Sequence, residues 1–581
     1  MRAALLCFAC EQSGVRPMLD AAREFLEKYP ELTLFLVIGI GYWIGSFALG
    51  HFKLGPVTGS LFVGVAVGQF AHVPVSGIAK SFLFLLFLFG IGYSVGPQFM
   101  QALKRDGLKP VALAIVVGVS GLATAIVVAK ALGLDAGFAA GLLSGALTES
   151  PAMGTATEAI NRLPLPEAER ARLVAHIAVA DAVCYLFGAA GAIWFISSMG
   201  PRLIGVDITA ASQALEKELG IERKAAGQAS AWRRFELRAY PITPDAPAAG
   251  RTVADAEAMV RPNRLFVHRI RRGDVIWEAR PEDVLQPGDV IAVSGRREVL
   301  VEMTGRRHQE VEDRELLDVP AVTLDVLVTS KSFAGRSLAA AAETEAARGI
   351  FLRAITRGGQ PIPIGAATEI QRGDILSLVG PAGAVETAAK EIGPVVRPTE
   401  STDFVVLGLA IFLGGLAGVL LTFEVAGIQI SLSTSVGALL AGLVVGHLRT
   451  RHPLFGRIPD GAINLMTALG LAAFVAMTGL HAGPIFFSAV AEAGIGLLLG
   501  GVAVTLAPLV VGLYFGVYVL RMNPILVLGG LAGAQTFTAA MAAVQERSGS
   551  PVAVLGFTPT VPLGHILLTS WGTVIVGVIG G

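Results

Sequence analysis

Apolar and polar positions divide this chain of 581 residues into three blocks. Residues 32–200 are apolar, residues 201–400 mix charged and apolar positions, and residues 403–581 are apolar again. The outer blocks hold runs close to the ~20 apolar residues that cross a bilayer as a helix. In the first block these runs predict helices near 32–50, 54–70, 80–101, 109–133 and 171–198. In the third they predict helices near 403–423, 431–447, 463–488, 493–519 and 552–579. Residues 15–29 mix Pro, Asp, Arg, Glu and Lys with Leu, Met and Phe, the pattern of an amphipathic helix at a membrane interface. Residues 1–31 are read as that lead-in, without a cleaved signal peptide.

Each apolar block is interrupted once by polar residues. Gly145-Ala-Leu-Thr-Glu-Ser-Pro-Ala-Met153 lies in segment 136–160, between the fourth and fifth runs of the first block. Gly533-Ala-Gln-Thr-Phe-Thr-Ala-Ala-Met541 lies in segment 523–546, at the same place in the third. Gly, Ala, Thr, Ala and Met recur at a constant offset of 388. Two earlier matches keep the same order. Gly59, Gly64 and Gly68 correspond to Gly437, Gly442 and Gly446, and Gly92, Gly96, Pro97 and Phe99 to Gly479, Gly483, Pro484 and Phe486. The block is therefore read as duplicated, and paired interruptions in paired halves point to a transport site.

Positive charge orients the halves, because cytoplasmic loops are rich in Lys and Arg. Arg449, Arg451 and Arg457 fall on the same side as the middle block, which is placed inside the cell. Lys104, Arg105 and Lys109 join them only if each half has five spans. The interruptions then become re-entrant helix–break–helix hairpins, one from each side of the membrane. Non-helical backbone is tolerated at that depth only where protein or a wet cavity surrounds it. The expected fold is a polytopic α-helical membrane protein with two inverted five-span repeats, each with a re-entrant hairpin, plus two small α/β soluble domains.

The middle block is itself duplicated. Residues 201–234 are read as a linker helix, followed by domains at 235–305 and 320–390. Arg251 matches Arg336, Arg272-Gly273 matches Arg357-Gly358, and Gly288-Asp289 matches Gly373-Asp374, all at an offset of 85. Gly-Asp makes a tight turn between strands, since Gly tolerates positive φ and Asp bonds its own backbone.

Composition narrows the function. Hydrophobic residues make up 53% and charged residues 15%, below the roughly 25% charged of soluble domains. Formal net charge is zero, which gives no basis for binding nucleic acid. Cys7 and Cys10 have redox or metal spacing without a second ligand pair. No nucleophile–base pair, metal cluster or phosphate loop is evident, so neither an enzyme, a cofactor nor a metal is expected.

The tandem Gly-Asp-hydrophobic units resemble TrkA-C domains. Two five-span halves around such a pair, with the break Thr148-Glu-Ser-Pro-Ala-Met-Gly-Thr-Ala-Thr-Glu158, resemble the aspartate:alanine exchanger family over nearly the whole chain. That resemblance implies a homodimeric antiporter of the bacterial inner membrane, with cytoplasmic soluble domains. It would swap an acidic amino acid, aspartate, for alanine by an elevator-like motion. A dicarboxylate or glutamate exporter on the same scaffold is the alternative, and a TrkA-C-gated ion channel a more remote one. A small ligand on the soluble domains is a further possibility.

The candidate substrate-binding residues lie at the breaks. Broken helices point unpaired N–H groups and positive dipole ends at anions. Thr148, Ser150 and Thr155 in the first hairpin and Gln535, Thr536 and Thr538 in the second add side-chain donors. Pro151 stops the helix from running through, with Ala152 beside it. Glu149 is an ionisable group at membrane depth, a functional candidate by default. It would pair with a substrate ammonium or carry a proton; otherwise it caps a helix or sits in water at a mouth. Its counterpart is Phe537, so the two hairpins differ. Asp181 is a carboxylate well inside the span after the first hairpin. His176 reads as interfacial, His565 as a packing histidine, and Asp135 as a solvated N-cap.

Overall fold

The computed structural model describes residues 15–49, 52–53, 55–102, 108–221, 235–260, 265–296, 300, 310–357, 360–396, 401–425, 428–431, 433–449 and 455–580. Cys7, Cys10, Lys104 and Arg105 lie outside the described residues. The chain divides into two compact units, one built from the two apolar blocks and one from the middle of the chain.

In the apolar unit, the lead-in folds as helix Val15–Lys28, and the first block as helices Pro30–Gly45, Pro56–Phe70, Gly77–Ala102, Leu108–Leu132, Ala136–Ala146, Pro151–Asn161 and Glu167–Trp194. The third folds as Phe404–Leu420, Thr434–Arg449, Asp460–Ala482, Phe486–Tyr514, Pro524–Ala534, Thr538–Ser548 and Val554–Gly580. Five helical stretches among the described residues are long and apolar enough to span a membrane, one of them the 60-residue stretch Asp460–Val519. Pro30–Gly45, Pro56–Phe70, Phe404–Leu420 and Thr434–Arg449 are apolar but shorter. Between the first two helices of each block runs a two-stranded antiparallel ribbon, Ala48–Leu49 with Phe52–Lys53 and Thr422–Val425 with Ile428–Ser431. The hydrophobicity pattern places Ala48–Leu49, Thr422–Phe423 and Ser431 at helix ends and the remaining ribbon residues in the loops between them. Two-to-four-residue strands are too short to show alternation.

Gly59 and Gly437 pack on the preceding helix of their own block, but the other matched glycines of these helices are crossing points between the blocks. A Cβ on Gly64 would lie 2.7 Å from the Ala476 carbonyl, and one on Gly479 2.6 Å from the Leu61 carbonyl. A Cβ on Gly92 would lie 2.0 Å from the Leu439 carbonyl, and one on Gly442 2.2 Å from the Phe89 carbonyl. Helix Pro56–Phe70 thus packs backbone to backbone on Asp460–Ala482, and Gly77–Ala102 on Thr434–Arg449. Each block presents its second helix to the third helix of the other. Close approach of this kind, through small residues, is what holds helices together where lipid removes the hydrophobic drive.

The middle unit holds two four-stranded antiparallel sheets of the same topology. Their strand orders are 235–241, 290–296, 265–272, 275–278 and 321–327, 375–381, 351–357, 360–362. The equivalent residues Phe266 and Phe351 meet edge to face at 5.8 Å, and Arg348 of the second domain makes a two-pronged ion pair with Glu257 of the first. The Gly-Asp turns do more than bond their own backbone. Asp289 accepts from the Gln286 N–H and from both forks of Arg272; Asp374 does the same with Gln371 and Arg357. The matched Arg-Gly and Gly-Asp pairs are therefore two halves of one ion pair, built on a buried Asp in each domain. Burial alone would raise Asp289, but the Arg272 guanidinium and the Gln286 N–H outweigh it and hold the carboxyl below its usual range.

Candidate functional site

Both polar interruptions are helix breaks. Ala136–Ala146 stops at Leu147 and the chain restarts as a helix at Pro151; Pro524–Ala534 stops at Gln535 and restarts at Thr538. At each break a threonine takes the left-handed conformation, Thr148 at φ 56° and Thr536 at φ 55°. A β-branched residue rarely does this, and the two positions stand at the offset of 388.

The closing helix Val554–Gly580 shows how the breaks are aimed. Near its start, Gly556 faces the Leu526 backbone at the base of the second hairpin. Further along, Gly564 faces the Ala534 carbonyl at that hairpin's tip. Gly572 then faces the Ala152 carbonyl, just past the tip of the first hairpin, and Gly580 faces Ala136 and Leu163 at its base. The hairpins thus approach from opposite ends of one helix of 27 residues, about 40 Å long. They meet near its middle.

Glu149 occupies the meeting point. Its carboxylate is 1% exposed. Oε2 accepts from the Thr536 hydroxyl of the opposite hairpin, and Oε1 from the Thr569 hydroxyl at 3.0 Å. The His565 Nδ1 lies 3.2 Å from Oε1. Glu149 is therefore neither a helix cap nor a group in water at a mouth. His565 is not a packing histidine either. A lone His in an apolar helix gave no sign of this role, nor did Thr569. The one-turn spacing of His565 and Thr569 on the closing helix was the available signal.

The other sequence candidates fall into two groups. Gln535 is 1% exposed, with both amide atoms buried and without a hydrogen-bond partner; the Thr148 hydroxyl is also buried without one. Ser150, Pro151 and Ala152 are buried beside them, and Phe537 is half-buried. By contrast, Thr155 bonds the carbonyls of Ala152 and Thr569, tying the first hairpin to the closing helix. Thr538 is exposed at the start of its helix. Asp181 accepts from Ser144 at 2.6 Å, behind the helix that leads into the first break. It anchors that helix and makes no direct bond to the Glu149 cluster. Asp135 caps the same helix through the Phe138 N–H and pairs with His176 at 2.7 Å. His176 is buried and stacked on Phe138. Among the described residues no cluster of side chains suited to a metal occurs.

Two buried helix breaks that meet among apolar helices suit a membrane carrier, and comparison with known proteins agrees. Residues 33–200 and 406–577 match the family described as a predicted permease membrane region, Asp-Al_Ex, and residues 237–304 and 323–393 each match the TrkA-C domain. The chain belongs to this permease family. An uncharacterized transporter of Bradyrhizobium diazoefficiens is 60% identical over 89% of the chain and 100% of its own length. Another permease relative, an uncharacterized transporter of Bordetella bronchiseptica, is 40% identical over 96% of this chain and 98% of its own. A third, from Shewanella oneidensis, is 38% identical over 95% and 98%. No solved structure matches this permease.

Proposed function

We propose that this permease is a secondary-active antiporter that exchanges aspartate for alanine across the bacterial inner membrane, with its TrkA-C pair in the cytoplasm. The observation that carries the reading is the closed cluster of Glu149, Thr536, His565 and Thr569 where two oppositely directed hairpins meet. We take the halves as inverted five-span repeats, 32–200 and 403–581, with the hairpins re-entrant. The four shorter apolar helices then span with the membrane thinned around them or with their flanking residues reaching the interface.

Several features support an amino acid as the cargo. Aspartate and alanine share an ammonium and an α-carboxylate. A buried carboxylate suits the ammonium, while neutral donors and the starts of two half-helices suit the carboxylate. The glycine-crossed helices pack chiefly on one another, and the hairpins on Leu108–Leu132, Glu167–Trp194, Phe486–Tyr514 and Val554–Gly580. This supports an elevator-like motion, one group moving against the other; the homodimer rests on the family resemblance alone. Proteoliposomes loaded with alanine test the function. Uptake of labelled aspartate should require internal alanine or aspartate. Uptake of succinate without a counter-substrate, or an ion current, would replace this reading with an exporter or a channel.

A further inference from the structure

We propose that Gln535 and Thr148 receive the α-carboxylate of the cargo and Glu149 its ammonium, so that the site reads the head group common to both exchange partners. This rests on the antiport reading and names what that site recognises.

Buried polar side chains are almost always hydrogen-bonded. At the meeting point of the hairpins three polar atoms break this rule: the Gln535 amide oxygen and nitrogen and the Thr148 hydroxyl. They are adjacent in sequence to the bonded pair. Thr148 precedes Glu149, and Gln535 precedes Thr536, whose hydroxyl holds Glu149. The second hairpin therefore offers an amide where the first has Leu147, and the first offers a carboxylate where the second has Phe537.

The hydrogen-bonding capacity matches an α-amino acid. The Gln535 amide group has two donors and the Thr148 hydroxyl has one, which suits a carboxylate. The Gln535 carbonyl is an acceptor beside them. A carboxylate has about four acceptor positions; Oε1 of Glu149 already serves Thr569 and His565, and Oε2 serves Thr536 alone. The free position on Oε2 can take an ammonium hydrogen. Ammonium and α-carboxylate sit on one carbon, and the acceptor and donors stand on neighbouring residues of the two joined breaks. Aspartate and alanine differ only beyond that carbon, so a site built this way accepts both.

Gln535→Leu installs the residue found at the matching position 147, and Gln535→Glu sets a carboxylate in the place of the amide. Both are to be compared with the wild type by counterflow in proteoliposomes and by calorimetric titration with alanine, aspartate, alaninamide and propionate. Melting temperature serves as the folding control. Gln535→Leu should raise the KM for aspartate and for alanine together, by ~10–100-fold, the scale for one lost bond to a charged group. The kcat should change much less, and Gln535→Glu should be worse for both substrates. Alaninamide, which lacks the carboxylate, and propionate, which lacks the ammonium, should bind far more weakly than alanine. A KM rise confined to aspartate, no rise for either, or alaninamide binding as well as alanine would overturn the assignment. If the wild type binds alanine by its head group but moves it without counterflow, the antiport reading fails and this one stands. If it binds neither amino acid, both fall.

Discussion

The hydroxyl of Thr536 donates to the carboxylate of Glu149, joining two residues 387 positions apart at the tips of opposed hairpins. Each stands at its own helix break, so the bond ties one break directly to the other.

Removing single donors to Glu149 tests this arrangement. Thr536→Val and Thr569→Val each leave a buried carboxylate with one partner fewer, at a cost of ~1–3 kcal/mol. Substrate affinity should fall by ~10–100-fold in each variant, while Thr538→Val, at an exposed position, should leave it within about twofold. Equilibrium binding of alanine to the purified variants is the measurement.

The crossing glycines should tolerate no side chain. Gly92→Val and Gly442→Val push a Cβ to within 2.0 and 2.2 Å of backbone carbonyls that no rotamer can move. Overpacking usually costs ~1–3 kcal/mol and more where backbone must shift. Gly408, with nothing within 4 Å, is the matched control. Melting temperature and yield in detergent should drop for the first two and hold for Gly408→Val.

The two TrkA-C domains carry the same ion pair in different surroundings. Arg357 is 10% exposed and its partner Asp374 is fully buried, whereas Arg272 is 40% exposed beside a buried Asp289. Breaking a buried pair strands a charge and costs ~3–5 kcal/mol. Arg357→Ala should therefore destabilise its sheet by that amount, and Arg272→Ala its own sheet by clearly less. Hydrogen exchange in strands 375–381 and 290–296 separates the two effects.

Acid should loosen the first domain through His268. Its burial, with the nearby Arg348 charge, lowers its pKa to about 4 from the usual 6.5. The unfolded chain then binds the proton first, so the stability from a neutral His268 is complete above pH ~6.5 and lost as pH falls toward 4. The loss amounts to at most about 3 kcal/mol. Hydrogen exchange in strand Leu265–Arg272 should accelerate over that window in the wild type and much less in His268→Gln.

Orientation is checked by labelling single cysteines from each side of the membrane. A cysteine at Leu165, in the loop beyond the first hairpin, should react from outside. One at Arg547, at the base of the second hairpin, should react from inside. Labelling of both from one side would end the inverted arrangement.

Much of this was legible in the chain. The breaks showed as polar residues in apolar runs, and the crossing glycines by recurring in order, because both demands fall on single positions. What escaped were pairings made across hundreds of residues. His565 and Thr569 sit in a helix whose local pattern is simply apolar, and their partner is 416 residues away in one case and 420 in the other. Glu158, which accepts from Thr434 and Ser435, is hidden for the same reason. In the soluble pair, Arg272 and Asp289 each looked like a turn residue; only the sheet brings them together.

The reciprocal glycine crossings also bear on how the protein is made. Helix Pro56–Phe70 has its partner in Asp460–Ala482, and Gly77–Ala102 has its own in Thr434–Arg449. A ribosome adding ~5–20 residues per second needs roughly 20–80 seconds to reach those partners. Over that interval the first half waits in the bilayer with bare glycine faces, while the whole TrkA-C pair is translated and folds. Biogenesis of this permease therefore has an obligatory pause during which lipid, an insertase or a neighbouring chain must shield the unfinished crossing.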